Sequence, residues 1–304
     1  MTGAGLPRRP VRAAVVGLAL SVVIGGCLAD TPTPEPVASP TVEPEPTPVV
    51  TTFDLDTTVW YGGFVIALGR ATATLDAKGG PVAVALTLEN PGDTEATLDG
   101  PIRLTSGDTV VEPTRETDLP AVPAAGRAEV VVTFEIVETF VLAEAAVRIG
   151  RDTEHQAIVP LVSGSETAAV TLEPLVVEIA AEGRAGSVFV DLYRLELRAD
   201  LPDWDQELPS DVLALTLFYH ATFRSDFPGG ASFTTDNINL RLPDGETIGV
   251  RRDGRSHSIA LLRPNRRNTI SSRFEVPVPG GGRYGFIVRD GAASVVIPFD
   301  IVLP

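Results

Sequence analysis

Six arginines, Arg251, Arg252, Arg255, Arg263, Arg266 and Arg267, fall within seventeen residues of an otherwise acidic chain. A guanidinium is a planar fork of donors that meets carboxylate or phosphate in two-point contacts, so this run is a candidate site for an anionic polymer. Charge balance on surface strands is the competing use, and Asp253 already offsets one of them. As a strand, residues 258–262 would span ~17 Å and could hold the two arginine groups at opposite ends of a sheet. A second stretch, "ADLPDWDQELPSD", sets Asp203, Asp205 and Glu207 at alternate positions around Trp204. Oxygen ligands of that kind suit Ca²⁺, but the glycine and spacing of a known calcium loop are missing, and a solvated acidic loop is the plainer reading. Trp204 is then either a plug for the end of a core or an exposed contact aromatic. Of the three histidines, His220 shares a strand face with Thr216 and Thr222, while His155 and His257 have no nucleophile beside them in sequence. Gly-x-Ser-x-Gly, His-Glu-x-x-His and glycine-rich phosphate loops are all absent. Neither an enzyme nor a bound cofactor is expected.

The remaining reactive group is Cys27, the single cysteine, which cannot close an intrachain disulfide. It follows Arg8, Arg9 and Arg12 and an uncharged run over residues 13–26, the profile of a secretory signal and too short to span a bilayer, which takes ~18–20 apolar residues. Ile24-Gly25-Gly26-Cys27 resembles the lipobox of bacterial lipoproteins, with an aliphatic residue three places before the cysteine and small residues next to it. The resemblance implies a signal peptide over 1–26 and a diacylglycerol on the Cys27 sulfur. The protein would then sit on the outer face of the cytoplasmic membrane, held by its lipid. An ordinary secretory signal with an incidental thiol, or an uncleaved anchor, are the alternatives. Residues 27–50 hold Pro32, Pro34, Pro36, Pro40, Pro44, Pro46 and Pro48 among acids and threonines, a spacer rather than a domain. Over Asp30 to Val50, the polyproline rise of ~3.1 Å per residue gives a reach of roughly 65 Å.

The formal charge is −16, and removal of the three N-terminal arginines would leave −19. Such a chain is a poor partner for nucleic acid. Met1 is the only methionine, so soft-metal sites built on Met, His or Cys are not expected either. About 255 residues follow the spacer, enough for two domains with real cores.

The elements that must position these groups read as strands. "VAVALTLENPGD" alternates Val82, Val84, Leu86 and Leu88 before a turn, and "EVVVTFEIV" alternates Val130, Val132, Phe134 and Ile136. The pattern then repeats. "IRLTSGDTV" from Ile102 matches "LRLPDGETI" from Leu240, Phe134-Glu135 matches Phe274-Glu275, and "RDTEHQAIVPL" matches "RDGAASVVIPF", at offsets of 138 to 140. Upstream, "ALTL" recurs from Ala85 to Ala214 at an offset of 129, so the second copy carries about nine extra residues between blocks. These blocks predict tandem copies of one fold. "VALTLENPGDTEATLDGPIRL" with "VPAAGRAEVVVTFEIV" resembles the immunoglobulin-like domain of unknown function common in lipoproteins and secreted antigens of Gram-positive bacteria. That resemblance implies an all-β chain with two tandem immunoglobulin-like antiparallel sandwiches, over 51–163 and 168–304. The expected role is a non-enzymatic binding or scaffolding module at the cell envelope, its partner an envelope polymer or a protein. An envelope enzyme or its accessory subunit, and a solute-binding lipoprotein, are the alternatives.

Overall fold

A computed structural model describes residues 47–114, 119–252 and 259–303. The N-terminal segment, Cys27 and almost all of the proline spacer lie outside the described residues, as do Arg255 and His257. The described chain is all-β, built of antiparallel sheets. No helix among the described residues is long and apolar enough to cross a membrane.

Strands β1 (Val49–Tyr61), β2 (Phe64–Leu75), β3 (Gly79–Glu89) and β6 (Arg127–Val137) form one sheet in the order β1-β2-β3-β6. Strands β4 (Ile102–Ser106), β5 (Thr109–Val111), β7 (Ala146–Ile149) and β8 (Ala157–Pro160) form a second, in the order β5-β4-β7-β8. The same connectivity recurs downstream. Strands β9 (Leu175–Ala185), β10 (Val188–Arg198), β13 (Val212–Phe223) and β18 (Arg267–Pro277) pair as β9-β10-β13-β18. Strands β15 (Ile238–Arg241), β16 (Thr247–Gly249), β19 (Gly282–Asp290) and β20 (Ala293–Ile301) pair as β16-β15-β19-β20. Two short pairs join the second half: β11 (Asp200–Leu201) with β12 (Gln206–Glu207), and β14 (Ala231–Thr234) with β17 (Ile259–Leu262), the latter matched in the first half by the single Ala96–Val122 bridge.

Strand alternation builds the cores. Val82, Val84, Leu86 and Leu88 all point inward from β3, and they meet Phe134 of β6 and Leu104, Val147 and Ile149 of the facing sheet in one buried cluster. A separate cluster joins Leu215, Leu217 and Tyr219 of β13 to Phe274, Phe286 and Ile297. Each such Leu or Phe contributes about 1.5–3 kcal/mol by leaving water. Tyr219 can be fully buried because its hydroxyl shares a 2.9 Å hydrogen bond with Ser272 Oγ. Residues 170–172 side with the first core. Val170 exchanges two 2.9 Å backbone bonds with Ile158, Trp60 N donates to Thr171 O at 2.8 Å, and Leu172 packs on the first cluster.

Candidate functional site

The arginine run does not gather into one patch. Arg251 donates its main-chain N–H to the carbonyl of Arg273 and pairs its guanidinium with Glu275, and Arg252 pairs with Asp236 at 3.0 Å. Arg263 and Arg266 are exposed in the turn leading into β18, and Arg267 at the start of that strand pairs with Asp191 at 2.7 Å. Arg267 and Arg273 are six residues apart on β18, about 20 Å at strand rise, and that distance separates the two groups.

The acidic loop is divided as well. Pro202–Trp204 forms a 3-10 turn closed by Asp205 in the left-handed conformation at φ 48°. Asp203 accepts from Arg273 at 3.0 Å, and Trp204 is 47% exposed, so it does not plug a core. Glu207 turns the other way and is 5% exposed. No three His, Cys, Asp or Glu side chains among the described residues are grouped as metal ligands. His155 is structural in placement, its Nε2 lying 2.7 Å from the carbonyl of Val212.

Glu207 belongs to a junction between the halves. The β1–β2 hairpin turns at Gly62 and Gly63, at φ +55° and +86°, and presents two adjacent N–H groups to the second half. Gly62 N donates to Glu207 Oε2 and Gly63 N to Asp200 Oδ2, both at 2.8 Å. A Cβ on Gly63 would lie 3.0 Å from the Cα of Pro202, so only glycine allows this approach. Asp200, 3% exposed, also accepts from Arg198 Nε at 2.6 Å. Burial works against the Arg198 cation, but hydrogen bonds and charge from Asp200 and Glu196 outweigh it and hold its pKa above the ordinary value. Around the tip, Tyr61 Oη donates to Glu154 Oε2 at 2.5 Å, and the His155 and Ser210 amides bond across to Leu208 O and Thr153 O. Glu207 Oε1 has no hydrogen-bond partner among the described residues. Burial, then the nearby carboxylates of Asp200 and Glu154, push the Glu207 pKa up to about 9 against the opposing Gly62 N–H. At neutral pH Glu207 is therefore a carboxylic acid.

The outer face of β10 and β13 holds the densest unabsorbed chemistry. Inward residues alternate with Phe189, Asp191 and Glu196 on β10 and with Thr216, Phe218, His220 and Thr222 on β13, and a bulge between Leu192 and Arg194 adds Tyr193 and Arg194 to the row. Arg194 Cζ lies 4.0 Å from the ring centroid of Phe218, and Arg224 Cζ lies 4.0 Å from that of Phe189. Tyr193 and His220 stack between them at 4.7 Å. His220 is held below its ordinary pKa by partial burial and then by Arg267, so it is neutral at pH 7. Past Phe218 the row opens into a cleft of about 250 Å³ lined by Arg198, Asp203, Thr216, Ser271 and Arg273. The outward positions of β2, β3 and β6 carry Ala67, Arg70, Ala83, Ala85, Thr87, Glu89, Glu129, Val131, Thr133 and Glu135, with Arg70 paired to Asp54 and Glu89 to Arg127. The outward rows of β2, β3 and β6 thus hold no aromatic ring, whereas those of β10 and β13 hold four.

No family model matches the chain, and no curated protein matches it either. Among solved structures, a conserved domain protein from Bacillus anthracis aligns over 83% of this chain and 90% of its own, at 10% identity and a TM-score of 0.24. A likeness at that level carries no functional argument.

Sequence reasoning placed His220, Thr216 and Thr222 on the wetter face of β13, where they are, but passed over Phe218, Tyr193 and Arg194. The available signal was the replacement of Glu89-Asn90 in the first copy by Phe218-Tyr219 in the second. An outward aromatic on a strand that already has an inward Tyr adds nothing to the core.

Proposed function

We propose that this chain is a lipid-anchored envelope protein, fixed through Cys27 to the outer face of the cytoplasmic membrane, and that its folded part is a non-enzymatic binding module. The anchor reading rests on the lipobox-like Ile24-Gly25-Gly26-Cys27 behind an uncharged run and ahead of a proline spacer. The repeated sheet order and the two hydrophobic clusters favour tandem immunoglobulin-like sandwiches as its architecture. One observation carries the binding reading: the outer face of β10 and β13 bears Phe189, Tyr193, Phe218 and His220, with Arg194 and Arg224 over two of the rings, where the outward residues of β2, β3 and β6 include no aromatic ring. Rings and cations on a solvent-facing sheet contribute nothing to a core and suit a ligand. The test has two arms. Wild type should enter the detergent phase while Cys27→Ser stays aqueous. The intact chain should also capture material from solubilised envelopes, and Arg194→Gln/Arg224→Gln should lose that capture. Equal partitioning removes the anchor, and equal capture removes the binding face.

A further inference from the structure

We propose that the outer face of β10 and β13 binds a linear acidic glycan laid along the strands, with its carboxylate or phosphate groups at Arg194 and Arg224 and a sugar ring on the Tyr193–His220 stack between them. The proposal rests on the binding-module reading and names its ligand class. Its first support is the state of the two arginines. Each guanidinium carbon lies 4.0 Å from a ring centroid, so the cation is held against a ring while N–H donors not used in that contact are left for an anion. Neither makes an ion pair among the described residues, and the Nε of Arg194 is buried without a hydrogen-bond partner. Arg198, Arg267 and Arg273, by contrast, are each matched to a carboxylate. Within a chain of net charge −16, Arg194 and Arg224 are cations held in place by packing rather than by acids.

The second support is shape. Thr222 faces Phe189 and Thr216 faces Glu196, so the row from the first ring to the cleft covers six steps of β13, about 20 Å. That is the span of a short oligosaccharide. The stacked pair in the middle offers a flat apolar surface for the C–H face of a sugar, and neutral His220, Thr216 and Ser271 offer hydroxyl-matching donors and acceptors beside it. An acidic peptide would satisfy the cations but has no ring face for the stack, and a neutral glycan would leave both guanidinium edges without an anion. The overall negative charge repels polyanions that cannot use both features.

The test is retention of the full chain in detergent on immobilised polygalacturonate, phosphomannan, dextran and poly-glutamate. One or both acidic glycans should retain the wild type, in a salt-dependent manner. Retention should fall ~tenfold or more in Arg194→Gln/Arg224→Gln, where two charge-assisted contacts are lost. It should also fall in Tyr193→Ala, and stay unchanged in Arg252→Gln. Retention on polygalacturonate alone assigns a carboxylate glycan, on phosphomannan alone a phosphate glycan. If the double variant fails to fold, Arg224→Gln at its exposed position decides by a several-fold loss or none. The proposal is overturned if neither acidic glycan retains the chain, if dextran or poly-glutamate does so equally, or if the folded variants bind as wild type does. Envelope capture without any glycan retention would leave the binding module standing and remove this ligand.

Discussion

Replacing Glu207 by Gln should flatten the dependence of stability on pH. In the folded protein Glu207 keeps its proton up to about 9, whereas the unfolded chain releases it near the ordinary value of 4.5. The folded-state pKa is raised, so the stability linked to that proton is complete below 4.5 and is lost progressively as pH rises toward 9. Each pH unit in that window is worth ~1.4 kcal/mol, so ~3 kcal/mol is lost between pH 5 and pH 7.5. Gln keeps an oxygen for the Gly62 N–H but has no proton to lose. It puts an NH₂ where Glu207 Oε1 has no partner among the described residues, which costs ~1–3 kcal/mol at every pH. The variant should therefore melt below or level with wild type at pH 5 and gain on it steadily up to pH 9. For a folded part of this size each kcal/mol moves Tm by about 2–4 °C. Thermal melts of both proteins at half-unit steps, read by circular dichroism, give the difference curve. Parallel curves, or a difference that shrinks as pH rises, would refute the assignment.

Two further perturbations probe the same molecule. Gly63→Ala forces a side chain into φ +86° and against Pro202. It should cost ~2 kcal/mol or more in urea denaturation, and an unchanged midpoint would mean the hairpin tip moves freely. Fragments 47–173 and 174–304 should each give a cooperative β-type melt, because Val170 and Leu172 belong with the first core and β9 begins at Leu175. Both should melt below the intact chain, having lost the hydrogen bonds of Gly62 and Gly63. An unfolded fragment would mean that the cores are not independent.

Much of the strand pattern could be read from sequence because a period of two reports burial directly. Val82 to Leu88 and Leu215 to Phe223 alternate in sequence as they do in the sheets. The repeated blocks anticipated the repeated sheet order for the same reason, since hairpin turns such as Ser106-Gly107-Asp108 and Asp244-Gly245-Glu246 keep their places between strands. The site was harder. Arginines close in sequence were drawn ~20 Å apart by the rise of a strand. The stacking of Arg194 on Phe218 depends on a bulge that shifts the alternation by one residue; the two-residue gap between Leu192 and Leu195 marks the shift, but not which ring Arg194 meets. Glu207 read as one more acid in an acidic loop. Its partner Gly62 is 145 residues away, and a Gly-Gly tip signals a hairpin without saying what the hairpin touches.

That hairpin also has a mechanical meaning. The chain enters the first sheet at Val49 and runs as a single edge strand to Tyr61, roughly 40 Å of extended backbone. Tension applied from the N-terminal side travels along this strand to the Gly62–Gly63 tip and crosses to Asp200 and Glu207, beside the end of β10. Eleven ladder pairs with β2 lie along the route and share the load in shear rather than opening one at a time. Load also crosses through the hydrogen bonds of His155 and Thr153 to Leu208 and Ser210. A protein pulled between a tether at its N-terminus and a ligand on β10 and β13 would load the β1–β2 ladder and this junction together.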